Sequence, residues 1–502
     1  MRRQDWHRTF WLATALLLLF AALRLLDILH FPIFIDEVVH VDWADDVYAL
    51  RPLTGAANGK LFGLWWMALF ALEGDQAVLL ARTATVLFAL LGAALVYRLG
   101  ASLAGQGAGL LALLLYAAQP YGIFYDRMAL VDSYILPWAL GCVWFCLRWL
   151  RWGRRFDALA AGVCITGAVL AKATGIMLAA LPLLALLLLP STKRWAARLG
   201  GVSWIAGAFA VTSSAVYVLL LWRGYAYFNT ATTVVGTSAT DSLWARLPRN
   251  ISTMWAIDTA YYSIPFLLAG IILALALLWL RPRIGAFLLL ALLVPLGGLL
   301  AFADKMSARY FQFHTPFLIL LVAVGIHAVY TRLPRARNLL IGLALLWCIA
   351  FALPFFTRYL TDPAALMLPP LDREEYITSE GSGFALAEVA DFLRTQAQPE
   401  QPGVVIGLIA NCPALDSLIP ASTPLRVECL VLQLDGTHQA AMIARVQTLG
   451  ALGTPLWLVY EDLPYTDLRG LGAAEPPLAT FSRPTDGVPI AIYRLSDEAE
   501  NE

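Results

Sequence analysis

Long apolar runs recur along most of this chain, and they constrain its fold more than any other feature. Each run contains roughly 15 to 22 residues, close to the ~20 that an α-helix needs to span a bilayer. Hydrophobic residues make up 60% of the chain and charged residues 14%, below the ~25% charge of a soluble globule. The runs lie at 10–30, 78–99, 107–121, 131–150, 157–171, 174–190, 201–222, 264–281, 285–302, 311–331 and 337–355. The sequence therefore predicts a polytopic α-helical membrane protein with about eleven transmembrane helices.

Clusters of Arg and Lys between these runs predict the orientation of the chain, because positively charged loops stay in the cytoplasm. The clusters are Arg2, Arg3 and Arg8; Arg148 to Arg155; Lys193, Arg194 and Arg198; Arg281 and Arg283; and Arg332, Arg335 and Arg337. With eleven crossings all these clusters and the N-terminus are cytoplasmic, and the chain ends outside. A crossing at 61–72 would break this agreement, so we interpret that run as a re-entrant or interfacial helix on the outer face.

The first apolar run follows basic residues, as the apolar part of a signal peptide does. It continues to Asp27 without a clear small-x-small cleavage site. A signal peptide is normally followed by such a site. We therefore predict an uncleaved first helix rather than a removed leader.

Beyond Phe356 the apolar runs shorten and predict a second domain. Strand-length runs lie at 403–410, 425–434, 455–460 and 490–495, separated by helical stretches near 381–397 and 438–452. This alternation is typical of a small α/β domain. We predict a transmembrane domain at 1–355, with outer loops at 31–60 and 223–263, and an extracytoplasmic α/β domain at 356–502.

The cysteines fall into two sets. Four lie inside apolar runs, where a small polarizable side chain packs well and no metal spacing is evident; they are Cys142, Cys146, Cys164 and Cys348. Cys412 and Cys429 lie in the predicted outer domain. In an oxidising compartment they would either form a disulfide or remain two free thiols, and the sequence leaves both states open.

Acidic side chains begin the first outer loop. Asp36 and Glu37 follow the first helix by a few residues, and His40 lies close behind. A carboxylate in a partly dry cleft at the membrane boundary can have its pKa tuned for use as a general base. The alternative is a solvated loop start in which the carboxylates only cap a helix.

Basic side chains fall at the same predicted level of the membrane. They are Lys60, Arg82, Arg127, Lys172 and Arg309. Any one of them can extend harmlessly from apolar surroundings to the interface. Several cations beside carboxylates on one face instead suit a bound phosphate, because charge-assisted contacts are strong in a low dielectric. A lipid-linked phosphate is the natural ligand there.

These motifs resemble those of the GT-C superfamily of membrane glycosyltransferases, in particular the bacterial protein O-mannosyltransferase and aminoarabinose transferase group. The resemblance covers the whole membrane portion of the chain. It rests on Asp36-Glu37, Asn58-Gly59-Lys60, Ala81-Arg82, Tyr125-Asp126-Arg127 with Asp132, Ala171-Lys172 with Thr174-Gly175, and Ala308-Arg309-Tyr310.

The resemblance implies a role for each of these side chains. Asp36 is the expected catalytic carboxylate, and Glu37 supports it or binds the acceptor. The residues expected to hold the donor phosphate are Lys60, Arg82, Arg127, Lys172 and Arg309, with Tyr310 either donating to it or packing. Supporting roles fall to Asp126, Asp132 and His40. Because basic side chains would stabilise the leaving phosphate, no cofactor is expected to be required, although the sequence leaves a divalent metal open.

The implied function is an inverting glycosyltransferase at the outer face of a bacterial inner membrane. It would move a sugar from a polyprenyl-phosphate donor to a hydroxyl of a lipid, a protein or a cell-wall glycan. No basic stripe indicates a nucleic-acid partner. The alternatives are a transporter or flippase of a lipid-phosphate substrate and an inactive scaffold. A transporter tends to have charges at the midplane and an internal repeat, and neither is evident in the sequence.

Overall fold

The computed structural model describes residues 3–72, 74–191, 193–225, 243–303, 306–398, 401–430, 443–449, 454–461, 468, 471–473, 476–485 and 487–495. The chain divides into two compact units. The helical unit consists of Met1–Ile28, Trp43–Ala71 and Leu79–Pro369. The sheet unit consists of Leu29–Asp42, Leu72–Val78 and Pro370–Glu502.

α-Helices make up most of the first 361 residues. They are α1 Arg3–Leu25, α2 Ile35–Tyr48, α3 Phe62–Ala68, α4 Ala77–Ala104, α5 Gln106–Ala118, α6 Pro120–Tyr125, α7 Ile135–Trp152, α8 Arg155–Ala171, α9 Leu181–Leu188, α10 Trp195–Trp222, α11 Leu243–Tyr262, α12 Ile264–Leu280, α13 Pro282–Phe302, α14 Thr315–Arg332, α15 Arg337–Trp347 and α16 Leu353–Thr361. Tighter 3-10 turns include Ala56–Asn58, Val131–Tyr134, Ala173–Ala180 and Ala308–His314.

Each of the eleven predicted transmembrane runs is helical, which confirms the polytopic helical fold. Among the described residues, seven helices are long and apolar enough to cross a membrane, or eight if a pair bent by 103° counts as one span. That pair is Trp244–Tyr262 with Ile264–Leu280. Other apolar helices, such as α5 with 13 residues, are short compared with the ~20 residues of a span. The number of crossings therefore stays a prediction.

Two predicted outer segments contain helix. α3, in the run predicted to be re-entrant, has seven residues and is too short to cross a bilayer, since a helix rises ~1.5 Å per residue. In the predicted loop 223–263, residues 243–262 form α11, and residues 226–242 lie outside the described residues. Periodicity alone does not identify α11 as apolar, because Arg246, Pro248 and Arg249 interrupt it.

Glycines allow close contacts between segments of the helical unit. An added Cβ at Gly162 of α8 would lie 2.4 Å from the Ile205 carbonyl oxygen of α10. At Gly175 it would lie 2.2 Å from the Ala168 carbonyl oxygen of α8. Small residues let backbones approach in this way in membrane helices. Gly175 therefore lets the 3-10 turn after α8 fold back onto that helix.

The sheet unit contains a five-stranded mixed sheet with strand order β2-β1-β3-β5-β4. The strands are β1 Gly403–Leu408, β2 Leu425–Cys429, β3 Leu456–Glu461, β4 Ala479–Phe481 and β5 Ile490–Leu495. β1 pairs in parallel with β2 and β3, whereas β5 is antiparallel to β3 and β4. Helices α17 Pro370–Arg373, α18 Leu386–Gln396 and α19 Cys412–Leu418 belong to the same unit. The predicted α/β character is confirmed. The sequence pattern did not predict β4 or α19, because both elements are short.

A disulfide joins Cys412, the first residue of α19, to Cys429, the last residue of β2. Of the two states that the sequence left open, the structure therefore has the bridged one. The four cysteines of the apolar runs are free.

Residues 31–42 of the predicted first outer loop belong to the sheet unit, which includes Leu29–Asp42. Val38 is buried in the same apolar core as Val389, Val405 and Trp457. The two units group residues by their contacts within the protein and not by the side of the membrane on which they lie. The predicted transmembrane domain at 1–355 and extracytoplasmic domain at 356–502 therefore stay predictions. The loop that carries Asp36 is nevertheless packed as part of a folded unit.

Candidate functional site

Five of the predicted site residues meet in the helical unit, and we call them the cationic cluster: Lys60, Asp132, Lys172, Arg309 and Tyr310. The Lys172 ammonium forms an ion pair with the Asp132 carboxylate and lies 3.9 Å from the centre of the Tyr310 ring. The positive charges of Lys172, Arg309 and Lys60 all act on Asp132. The cluster therefore gathers three cations around the buried Asp132 carboxylate.

Local backbone structure brings Lys60 and Lys172 together. Lys172 has an extended backbone between α8 and the turn Ala173–Ala180. The amide after Lys60, that of Leu61, donates to the Leu170 carbonyl at 2.8 Å. Gly59 has a φ of +65°, and an added Cβ there would lie 2.9 Å from the Ala173 Cβ. Position 59 therefore favours glycine for two reasons: there is no room for a Cβ, and residues with a side chain rarely adopt a positive φ.

Buried hydrogen bonds hold the turn that carries Arg309 and Tyr310. The Tyr121 hydroxyl donates to the Ala308 carbonyl. The Gln312 side-chain amide and the Ser133 hydroxyl each donate to Asp126 Oδ1 at 3.0 Å. Asp126 therefore connects the turn containing Asp132 to the turn containing Arg309. This is consistent with its predicted supporting role, but Asp126 acts through neutral side chains rather than through the cluster's cations.

A second group of basic side chains lies at the C-terminal end of α1, and we call its members the α1-end arginines: Arg24, Arg82 and Arg127. All three side chains are fully buried. Arg24 donates to Asp126 Oδ2 at 2.9 Å. Arg82 donates to the Ile28 carbonyl at 2.8 Å.

Arg127 makes the most extensive contacts of this group. Its guanidinium donates to the carbonyls of Leu23, Leu26 and Asp27 at 2.9, 2.7 and 2.8 Å. It also lies 4.3 Å from the centre of the Tyr359 ring. The last carbonyls of a helix have no partner within the helix, so Arg127 satisfies acceptors that α1 leaves open. The predicted phosphate role of Arg82 and Arg127 stays a prediction beside these structural contacts.

Sequence reasoning missed a buried His314–Asp258 pair. His314 Nε2 lies 3.0 Å from Asp258 Oδ1, which ties the end of the Arg309 turn to α11. It also missed Arg24. Both could have been found, since ionisable side chains inside apolar segments are expensive and are functional candidates by default.

The two predicted catalytic carboxylates, Asp36 and Glu37, lie in the sheet unit. Asp36 and Glu37 occupy the first turn of α2, where the helix dipole favours negative charge. The Phe34 amide donates to Glu37 Oε1 at 3.1 Å, which is one half of a capping box. Glu37 and His40 are fully buried, whereas Asp36 is partly exposed. Glu37 therefore has a capping role, and Asp36 is the more accessible carboxylate of the two.

Across the described residues no group of three or more His, Cys, Asp or Glu side chains could hold a metal ion. The expectation that no cofactor is needed is not tested by this observation and stays a prediction.

The chain is similar to known proteins in sequence and in structure. Residues 60–222 match the family model of dolichyl-phosphate-mannose-protein mannosyltransferase. No curated protein sequence matches the chain. The structure resembles that of ArnT from Cupriavidus metallidurans bound to undecaprenyl phosphate, with 15% identity, 100% of each chain covered and a TM-score of 0.58.

The chain has the GT-C fold. A second similar structure is the oligosaccharyltransferase AglB from Archaeoglobus fulgidus in complex with an inhibitory peptide and a dolichol-phosphate. It is 11% identical, with a TM-score of 0.51, over 93% of this chain and 71% of that one. The predicted resemblance to GT-C glycosyltransferases is confirmed. Residues 60–222, which match the family model, contain three members of the cationic cluster: Lys60, Asp132 and Lys172.

Proposed function

We propose that this GT-C protein is an inverting glycosyltransferase that uses a polyprenyl-phosphate-linked sugar as donor and the hydroxyl of a second molecule as acceptor. The observation that carries the proposal is the cationic cluster, in which Lys60, Lys172 and Arg309 act on a single carboxylate. Structural similarity to a protein bound to undecaprenyl phosphate supports the choice of a lipid phosphate as ligand.

The cationic cluster would bind the donor phosphate and stabilise it as leaving group. Charge-assisted contacts from Lys and Arg to phosphate oxygens strengthen as negative charge grows on the phosphate during departure. Asp132 would keep Lys172 oriented in the absence of donor, since it already forms an ion pair with this side chain. Tyr310 would limit the movement of the Lys172 ammonium, which lies over its ring.

Asp36 is proposed as the general base. The acceptor oxygen would attack C1 of the sugar and form a new C1–O bond. Its proton would pass to the Asp36 carboxylate, while the bond between C1 and the phosphate oxygen breaks with its electrons staying on the polyprenyl phosphate. One displacement inverts the configuration at C1. The side chain of Glu37 would fix the start of α2, on which Asp36 lies.

The first test compares the wild type with Asp36→Asn in detergent. Radiolabelled polyprenyl-phosphate mannose, glucose and arabinose serve as donors, and a crude envelope extract serves as acceptor. We expect the wild type to transfer label from one donor and Asp36→Asn to bind that donor without transferring it. Glu37→Gln is the neighbouring control: its side-chain oxygen can still accept from the Phe34 amide, so it should lose less of the rate of transfer than Asp36→Asn.

Two results would count against the proposal. Transfer by Asp36→Asn at the wild-type rate would remove Asp36 as the base. Binding of all donors without transfer by the wild type would favour the lipid-phosphate transporter or the scaffold, and a vesicle assay for movement of the lipid would then separate these two.

Metal independence is a further part of the proposal. Because the cationic cluster would supply the charge that a divalent metal supplies in other transferases, the transfer rate should be unchanged after dialysis against EDTA. A rate that falls and returns on addition of Mg²⁺ or Mn²⁺ would contradict it.

A further inference from the structure

The segment that leads to Asp36 is held by the C-terminal part of the sheet unit. Ile35 donates its amide to the Gly381 carbonyl at 3.1 Å. The Phe34 ring lies 4.5 Å from the Tyr376 ring, between centres. An added Cβ at Gly383 would lie 2.4 Å from the Ile33 carbonyl oxygen. Backbone and side chains of the 376–383 stretch therefore pack directly against the residues that precede Asp36.

Asn411 makes the polar connection to this segment. Its side-chain Nδ2 donates to the Ile33 carbonyl at 2.9 Å and to the Gly381 carbonyl at 3.0 Å. The Gly381 carbonyl thus accepts from both Asn411 and Ile35. The side chain of Asn411 is fully buried, so the two hydrogen bonds form away from water, where such bonds are stronger.

The position of Asn411 in the sheet unit makes it a rigid support. It lies between the carboxyl end of β1 and the first residue of α19, and the next residue is Cys412 of the disulfide. β1 is a central strand, paired in parallel on both sides. The crevice beyond the carboxyl ends of parallel strands is where α/β sheets often bind ligands. Here Ile33 of the chain itself contacts Asn411 at that end of the sheet.

The chemistry of the contact also argues for positioning rather than for stability. Both partners of Asn411 are carbonyl oxygens, so a side chain that satisfies both must donate two hydrogen bonds. Among the described residues its Oδ1 has no hydrogen-bond partner, and burying an unsatisfied polar atom lowers stability. A buried leucine would avoid this cost but would leave the Ile33 carbonyl without its side-chain donor.

We propose that Asn411 is a positioning residue for Asp36: by bridging the Ile33 and Gly381 carbonyls, it fixes the start of α2 and hence the direction of the Asp36 carboxylate. The inference rests on the proposed function, because it concerns the carboxylate that would act as the base. It assigns the C-terminal α/β part of the chain a role in the rate of sugar transfer. A misplacement of about 1 Å of a reacting group can cost about 100-fold in rate.

The test uses the full chain in detergent with the radiolabelled polyprenyl-phosphate sugars above. Asn411→Leu removes both donated hydrogen bonds and keeps a γ-branched side chain, and the smaller Asn411→Ser is the second variant in case the first does not fold. Ser382→Ala is the matched control, because the buried Ser382 hydroxyl donates to the Ile377 carbonyl in the same stretch. We expect Asn411→Leu to lower the maximal rate of transfer about 10- to 100-fold with a change below about 2-fold in the KM for the donor. Ser382→Ala should stay within about 2-fold of the wild type.

A double-mutant cycle separates positioning from general destabilisation. Asp36→Glu keeps a carboxylate but changes its reach. If Asn411 acts through Asp36, the variant with both substitutions should be no slower than the slower single variant, because interacting residues are not additive. The proposal would be overturned if the fold-losses in rate of the two single variants multiplied in the double variant.

Hydrogen exchange gives a readout that does not depend on activity. The Ile35 amide should exchange faster in Asn411→Leu or Asn411→Ser than in the wild type, with β1 and β3 unchanged. Unchanged exchange at Ile35 would also overturn the proposal. If Asp36→Asn is inactive while Asn411→Leu behaves like Ser382→Ala, only the positioning role fails. If Asp36→Asn transfers normally, the assignment of the base fails instead.

Discussion

The cationic cluster and the α1-end arginines use the same kinds of side chain in different ways. Near the end of α1, Arg127 donates to three backbone carbonyls and Arg82 to one, while Arg24 pairs with Asp126. In the cationic cluster, Lys172 pairs with Asp132, on which Arg309 and Lys60 also act. Arg82 and Arg127 therefore contact backbone carbonyls near a helix end, whereas three cations of the cluster converge on one carboxylate, and this is why we propose the cluster as the phosphate site.

The strongest test of this comparison replaces Arg127 with methionine, which keeps length but removes all donors. Three acceptor carbonyls at the end of α1 would lose their charge-assisted partner, at a cost of about 3 kcal/mol or more. We expect thermal inactivation in detergent at a clearly lower temperature, with the KM of the folded fraction for the donor unchanged. Arg127→Lys, which keeps the charge, should recover part of the stability. A raised KM with normal stability would break the comparison and support the predicted phosphate role of Arg127.

The opposite result is expected for Lys172→Met. The donor phosphate would lose one of its cations in a low dielectric, and we expect transfer to fall about 100-fold, or about 2.7 kcal/mol. Lys172→Arg serves as the control because it keeps the charge, and it should retain more transfer than Lys172→Met. The measurement is the initial rate at several donor concentrations. A variant that lost only thermal stability would place Lys172 with the α1-end arginines.

Tyr310 gives a smaller effect that sharpens the comparison. Its ring lies 3.9 Å from the Lys172 ammonium, and such a cation–π contact contributes about 0.5–2 kcal/mol. We expect about a 10-fold loss of transfer in Tyr310→Ala and less than about a 3-fold loss in Tyr310→Phe, which keeps the ring. Equal losses in both variants would mean that the hydroxyl, rather than the ring, matters.

The smallest effect is expected for an ion pair between an exposed arginine and a partly buried carboxylate. In the sheet unit, Arg445 donates to Glu428 at 2.7 and 3.0 Å, and these hydrogen bonds lower the pKa of Glu428. Their stabilisation is present above the ordinary pKa of a glutamate and is lost as the pH falls through the lowered value. Glu428→Gln should lower the midpoint of thermal unfolding at neutral pH by about 2 °C or less. The difference from wild type should vanish at acidic pH; a difference that grew on acidification would contradict the assignment.

Much of the fold was predictable because its signals are local. Each apolar run that predicts a membrane helix contains helix, and each predicted strand overlaps an observed one. The cations of the cluster were also named from sequence, because Lys and Arg in apolar surroundings are rare, whereas Asp132 and Tyr310 were named from the resemblance to GT-C glycosyltransferases. The sequence did not separate this cluster from Arg82 and Arg127, since all are basic residues at the same predicted level of the membrane.

Only the tertiary structure decided which residues are partners. Arg24 and Asp126 are 102 positions apart, and Asn411 reaches Ile33 across 378 positions. The disulfide, left open by the sequence, depends on the approach of β1 and β2. Hydrophobic length and periodicity fix the helices and strands because each depends on neighbouring residues in the chain. Ion pairs and carbonyl contacts depend on distances that packing sets, and the sequence alone therefore determined the elements and the candidate charges but not their pairing.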